Sequence, residues 1–200
     1  MVWKFKNIFE GLDRAYGQYK SGDPNSNGKL GGQAFIRKDM VHDSLWIKHL
    51  EGEEPGLGII PITDASMCRW GCIDVDTYPL DHKEIIKNIQ KLKLPLVMCR
   101  SKSGGAHLFL FTKDWISASL MRDKLMEWAG ELGYANCEIF PKQIEIRADR
   151  GDTGNFLNLP YHNGNSTNRY AFNLDGTAAT LDQFISLYDE RSITKTNLLS

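Results

Sequence analysis

Apolar positions recur along the chain at two spacings, and the switches between them mark out the elements. After Asp81, with Glu84 three residues on, Ile85, Ile86, Ile89 and Leu92 fall on one side of a 3.6-residue repeat and predict a helix. Ile116, Leu120, Leu125, Trp128 and Leu132 do the same over 116–132, and Gly133 ends the run. Shorter helices are expected over Met40–Leu50, with Val41, Leu45, Trp46 and Leu50 on one side, and over Thr180–Tyr188. In residues 1–20 aromatics (Trp3, Phe5, Phe9, Tyr16, Tyr19) alternate with charges, which suits a short helix packed on the body.

Strand patterns stand between these helices. They are Gln33–Arg37, Gly56–Pro61, Arg69–Asp76, Leu96–Cys99, His107–Thr112, Cys137–Phe140, Phe156–Pro160 and Arg169–Asn173. The short turn after Pro61 suggests that Gly56–Pro61 and Arg69–Asp76 are hairpin-like neighbours, and 96–99 with 107–112 form a second hairpin. Residues 20–32, rich in Gly, Ser, Asn and Asp, read as a loop with a possible substrate-contacting role; Lys142–Gly154 and the end from Ile193 read as polar connections. Helices interleaved with hairpins make the class α+β rather than a doubly wound parallel sheet.

Composition narrows the function classes. At 200 residues, 42% hydrophobic and 24% charged, the chain can bury a sizeable core. No apolar run approaches the roughly 18 residues that span a bilayer, and the start Met-Val-Trp-Lys-Phe-Lys lacks a signal-peptide core, so the expected location is cytoplasmic, with no membrane partner. Cys68, Cys72, Cys99 and Cys137 form no Cys-x-x-Cys pair, which favours reduced, buried thiols over a zinc site. A net charge of −1 argues against coating duplex DNA by electrostatics alone, yet leaves room for a local basic groove.

The chemistry concentrates in three stretches. In Arg69–Asp76, Asp74 and Asp76 lie two apart on one strand face, opposite Ile73 and Val75. Like charges so close call for something positive between them, and a divalent cation with oxygen ligands fits; two solvated aspartates at a strand end is the alternative. In Arg100–His107, Gly104 and Gly105 permit close backbone approach, while Arg100, Lys102, Ser101 and Ser103 offer donors to phosphate oxygens and His107 opens the next strand. This is not a P-loop, since the Walker spacing is missing and the turn leads into a strand. In Cys137–Gln143, Glu138 adds a third carboxylate and Lys142 a cation four residues later.

In order and spacing these stretches resemble the three motifs of the archaeo-eukaryotic primase superfamily, closest to the primase-polymerases of phages, plasmids and mobile-element conflict systems. The hydrophobic-Asp-hydrophobic-Asp strand, the Ser-Gly-Gly-x-His turn, the string Glu138–Gln143 and Gly154–Pro160 (Gly-Asn-Phe-Leu-Asn-Leu-Pro) carry it, over roughly residues 30–175. The usual second motif is Ser-x-His, whereas Gly105 stands two before His107 here, so the resemblance supports the histidine's role more than that of Ser103.

The resemblance implies a catalytic core in which an N-terminal α/β module (1–56) packs on an RRM-like sheet module (57–175), followed by a helix and tail (176–200), all forming one catalytic domain. It implies that Asp74, Asp76 and Glu138 hold two Mg²⁺ or Mn²⁺ ions, and that His107, with Arg100, Lys102, Ser103, Gly104 and Gly105, grips a nucleoside triphosphate. Lys142, Arg147 and Asn158 would lie near nucleotide or template, while Arg147, Arg150 and Arg169 read equally as a solvated face. The implied activity is template-directed nucleotidyl transfer on single-stranded or primed DNA, as a DNA primase or DNA polymerase, with a helicase domain or protein as a possible companion. Trp70 and Tyr161 are either base-stacking or core residues, and Lys48–His49 either a triphosphate contact or a helix-surface pair. Two rivals remain at this level: a metal-dependent nuclease using the same carboxylates, and a catalytically silent single-strand-binding module.

Overall fold

Alternation along Trp70–Val75 decides how the layers stack, because Trp70, Cys72 and Asp74 point one way while Gly71, Ile73 and Val75 point the other. The structure, a computed structural model, describes residues 1–24 and 30–200. In chain order the elements are α1 (Val2–Ile8), β1 (Tyr16–Pro24), β2 (Leu30–Arg37), α2 (Asp43–Glu51), β3 (Gly56–Ile59), β4 (Met67–Val75), α3 (His82–Lys91), β5 (Leu96–Arg100), β6 (Ala106–Ser117), α4 (Ala118–Glu131), β7 (Glu138–Phe140), β8 (Leu157–Asn158), α5 (Leu181–Arg191) and α6 (Lys195–Leu199). Single 3₁₀ turns stand at Ala148–Arg150 and Gly164–Ser166.

Among the described residues the strands form two four-stranded sheets, β2-β1-β3-β8 and β5-β6-β4-β7, with antiparallel pairing throughout. The architecture is mixed α+β. In the second sheet the connectivity is β-α-β-β-α-β, with α3 and α4 as the two crossovers. The first sheet takes strands from both sides of position 56: the chain leaves it after β3, builds the whole second sheet, and returns at β8.

The second sheet is buried on both faces. Ile73 and Val75 share a core with Ile85, Ile86 and Ile89 of α3 and with Met121, Leu125 and Ala129 of α4. A Cβ at Gly71 would come within 2.7 Å of both Met121 and Leu125, so the missing side chain is what lets α4 seat this low on β4. On the other face Trp70, Cys72, Phe109, Phe111 and Phe140 meet Phe5 and Phe9 from α1 and its C-terminal end, Leu57 and Ile59 of β3, and Phe184 of α5.

Several elements differ from the sequence expectation. Gly56–Pro61 and the acidic strand are not hairpin neighbours: β3 pairs with β1 and β8, β4 with β6 and β7. A strand apolar on both faces needs a partner on each edge and cover above and below, which a position next to β3 would not supply. The expected strand Gln33–Arg37 is present as the end of β2, but its partner β1 occupies 16–24, expected as a helix end and loop; the middle of the expected loop, 25–29, lies outside the described residues. Gly17 of β1 and its partner Gly58 of β3 both lie under the Phe156 ring, where a Cβ would collide with it. Ile116 and Ser117 complete β6, and the Ser117 hydroxyl accepts the Leu120 N–H at 3.2 Å to start α4. Arg169–Asn173 makes single bridges along the β5 edge, with Arg100 N–H donating to the Tyr170 carbonyl at 2.8 Å. The polar tail folds back as α6, burying Leu198.

The aromatic and histidine alternatives resolve toward the interior. Trp70 is fully buried and donates from Nε1 to the Glu10 carbonyl at 2.9 Å; Tyr161 is fully buried, donating to the Ala179 carbonyl and accepting from the Ala171 N–H. Lys48 faces solvent beside Glu53, but His49 is 1% exposed and bridges Leu57 N–H (3.0 Å to Nδ1) and the Pro160 carbonyl (2.8 Å from Nε2). His49 is therefore neither a surface residue nor a triphosphate contact. It is a buried polar tie that fixes α2 to β3 and to the end of β8.

His49→Leu leaves a buried N–H and a buried carbonyl without partners, and urea denaturation should show a loss of about 2–4 kcal/mol. Burial holds the His49 imidazole down at about 3, against an ordinary 6.5. The unfolded chain thus takes up a proton near pH 6.5 that the folded chain refuses. The stability from this group is complete above that pH and should fall by about 1.4 kcal/mol per unit below it, down to the folded value.

Candidate active site

Register across the second sheet brings the chemistry together. Asp74 of β4 sits directly opposite His107 of β6 on one side and Glu138 of β7 on the other, and His107 is in turn opposite Cys99 of β5. Cross-strand neighbours share a face, with Cβ atoms about 5 Å apart. Residues distant in sequence thus form one row, on the face that carries Trp70, Phe109 and Phe140 further along the strands.

Each acid has its own partner. His107 Nε2 lies 3.4 Å from Asp74 Oδ1, the two side chains being mostly buried. Glu138 Oε2 is paired with Lys142 Nζ at 2.8 Å and is largely exposed. Asp76 lies one residue beyond β4 and accepts from the Tyr78 hydroxyl at 2.5 Å. Burial and the Asp76 carboxylate push the Tyr78 phenol up to about 12, with the nearby Ser103 side chain acting in the opposite sense. The half-buried Cys137 thiol is raised first by burial and then by the charge on Asp74.

The turn from Arg100 to Ala106 is locked beside this row. Ser101 N–H donates to the Gly105 carbonyl and Gly104 N–H to the Ser101 carbonyl, both at 3.0 Å, with Gly104 at φ +89°. A Cβ on Gly105 would collide with the Val75 carbonyl, so the glycine lets the turn lie flat against the end of β4. His82 Nε2, from the first turn of α3, meets the Gly105 carbonyl at 3.1 Å, and Asp81 caps that helix by accepting the Lys83 and Glu84 N–H groups. Lys102 Nζ stands 3.2 Å from the centre of the Tyr19 ring on β1, and Arg100 Nη1 donates to the Asn168 carbonyl. The turn therefore faces the first sheet, where half-buried Asn158 carries an Oδ1 without a partner and buried Arg169 an Nη1 without one.

The predicted residues fall into three groups. Asp74, Glu138 and His107 are brought into register, with Asp76 one residue beyond the strand end; Ser103 and Gly105 come against Tyr78 next to them. Lys142 is at the site through Glu138. Arg147 and Arg150 are exposed around the 3₁₀ turn, Arg147 beside Asp149, whereas Arg169 is buried rather than solvated. Sequence reasoning passed over Tyr78, His82 and Tyr19. Tyr78 carried a signal, standing two residues after Asp76 with a polar tip.

The donor set is one of carboxylate oxygens, suited to Mg²⁺ or Mn²⁺. Among the described residues no three His, Cys, Asp or Glu side chains converge as metal ligands. Asp74 and Glu138 share a register position, and the Glu138 carboxylate, which is exposed, is engaged by Lys142. The donor chemistry and the backbone fit such an ion.

The family described as the archaeo-eukaryotic primase domain of the TOTE conflict system matches residues 29–200, most of the chain. The chain belongs to that family. A search of curated proteins gives no match. Among solved structures, that of primase RepB′ is similar over 95% of this chain, with a TM-score of 0.39 and 13% identity, and the chain spans 60% of that protein's length. No helix among the described residues is long and apolar enough to cross a membrane.

Gly105→Ala forces the turn off the Val75 carbonyl and should lower the melting temperature by about 4–8 °C, a loss of about 2 kcal/mol. Gly130→Ala, inside α4 with nothing within 4 Å of the added Cβ, should leave it unchanged or raise it. Differential scanning calorimetry of the pair checks both directions.

Proposed function

We propose that the chain is the catalytic domain of a primase-polymerase, a template-directed nucleotidyltransferase that adds nucleoside triphosphates to a primer or starts one. The observation that carries this reading is the row His107–Asp74–Glu138 with Asp76 at its edge, set beside a glycine turn and in a chain belonging to a primase family. On this reading residues 1–200 act as one catalytic domain, with the β-α-β-β-α-β sheet as its RRM-like, motif-bearing part.

Roles follow from what each group can do. Asp74, Asp76 and Glu138 would hold Mg²⁺ or Mn²⁺. Such ions activate an attacking hydroxyl and neutralise charge on the leaving pyrophosphate. His107, one nitrogen directed at Asp74, presents a donor at the level of the acid row, where a phosphate oxygen can accept it. Lys102 and Arg100 supply positive charge on the side facing the first sheet, and Gly104 and Gly105 allow phosphate oxygens to reach the turn backbone. Ser103 offers a hydroxyl from the same turn, and Lys142 is a cation that can pass from Glu138 to substrate phosphate. Asn158, on β8 of the first sheet, would be the nucleotide contact from the opposite wall. Single-stranded or primed DNA is the template partner on this reading, and a helicase a companion.

Incorporation of labelled nucleotide on a primed template with Mn²⁺ tests the assignment. Asp74→Asn and Asp76→Asn should each reduce it about 10³-fold and Glu138→Gln about 10²-fold, with melting temperatures near that of the unaltered chain. Degradation of input DNA in the absence of nucleotide, abolished by the same substitutions, would instead identify a nuclease. Single-strand binding unharmed by Asp74→Ala with Asp76→Ala, and no incorporation by the unaltered protein, would leave a binding module.

A further inference from the structure

We infer that Tyr78 is a positioning residue: its hydroxyl sets the Asp76 carboxylate for a divalent cation and ties that carboxylate to the glycine turn. The inference rests on the reading of Asp76 as a cation ligand and goes beyond it by naming the group that aims it.

Asp76 is the one acid of the three without a place in the ladder. Register pairs on β4 end at Val75, opposite Ala106, and Asp74 is flanked on both sides while Asp76 is exposed. A carboxylate at a free strand end samples several rotamers, and ordering it costs entropy when an ion binds. The Tyr78 hydroxyl removes that freedom by donating to Oδ1 at 2.5 Å, which leaves Oδ2 for an ion. Hydrogen bonds behind a ligand commonly change metal affinity 10–100-fold.

Packing does not explain Tyr78, because its side chain remains exposed and belongs to neither core. Its polar end, by contrast, is surrounded by site groups. A Cβ on Gly105 would lie 3.4 Å from the hydroxyl, so the glycine turn packs directly beside it. One oxygen thus touches the acidic strand end and the turn that would receive phosphate. If both ends are loaded, affinity for cation and affinity for triphosphate must rise together, since coupling between two ligands is reciprocal.

The test uses the full chain and Tyr78→Phe, which keeps the ring and removes the oxygen; its exposure makes a folding defect unexpected, and circular dichroism melting checks this. Mn²⁺ binding is followed by the electron paramagnetic resonance signal of the free ion, with and without inorganic tripolyphosphate. Tyr78→Phe should weaken Mn²⁺ binding about 10-fold and reduce the gain in Mn²⁺ affinity that tripolyphosphate brings. In primer extension it should raise the Mn²⁺ concentration for half-maximal rate by a similar factor, with the rate at saturating Mn²⁺ within about 3-fold of the unaltered chain. A residue that merely packs would move none of these. Unchanged Mn²⁺ binding in Tyr78→Phe, with binding lost in Asp76→Asn, would overturn the inference alone. Unchanged binding in Asp76→Asn would overturn the cation role of Asp76 and the inference with it.

Discussion

The structure depends on one register, that of β4 between β6 and β7. Asp74 stands opposite both His107 and Glu138 only because Ile73 pairs with Leu108 and Ile139, and these three side chains enter the core beneath α3 and α4. A slip by one residue would drive Asp74 into that core and turn Ile73 toward the site. Hydrophobic burial on both faces therefore sets the alignment, and the polar row inherits it. The chemistry does not have to hold itself together.

Electrostatics in the row differ from what the sequence alone suggests. Two aspartates a residue apart invite the argument that a cation must separate them. The protein instead gives each carboxylate its own relief: an imidazole for Asp74, a phenol for Asp76 and an ammonium for Glu138. Three acids can then stand at one sheet end without a shared ion, and each partner can be exchanged for a ligand. His107, buried to within 8%, is the least free of the three to move.

Much of this was legible in the chain. The period-two run ending at Asp74 and Asp76, the helices after Asp81 and before Gly133, and the hairpin across Arg100–Ala106 all follow from local pattern and turn chemistry. The three motif residues were found because their order matched a known set, not because spacing alone could join positions 74, 107 and 138. The remainder was illegible for identifiable reasons. Nothing in Gly56–Ile59 says that its partners are Gly17 and Asn158 rather than the strand next in sequence. His49 and Arg169 look like surface charges until the fold closes over them. Nothing local to Gly17 shows that it is small in order to admit the Phe156 ring, which comes from 139 residues further along the chain.

The return of the chain at β8 has a mechanical consequence. Because the sheet β2-β1-β3-β8 is finished only by residues 157–158, the second sheet is an insertion looped out between the third and fourth strands of its neighbour. The two halves are joined by three crossings, at 60–66, 141–156 and 160–168, the last returning the chain to the β5 edge at Ala171. Leu57, Ile59, Leu157 and Leu159 from the first half lie in the same buried cluster as Trp70, Phe109 and Phe140 from the second, so neither half can pull away without wetting the interior they share.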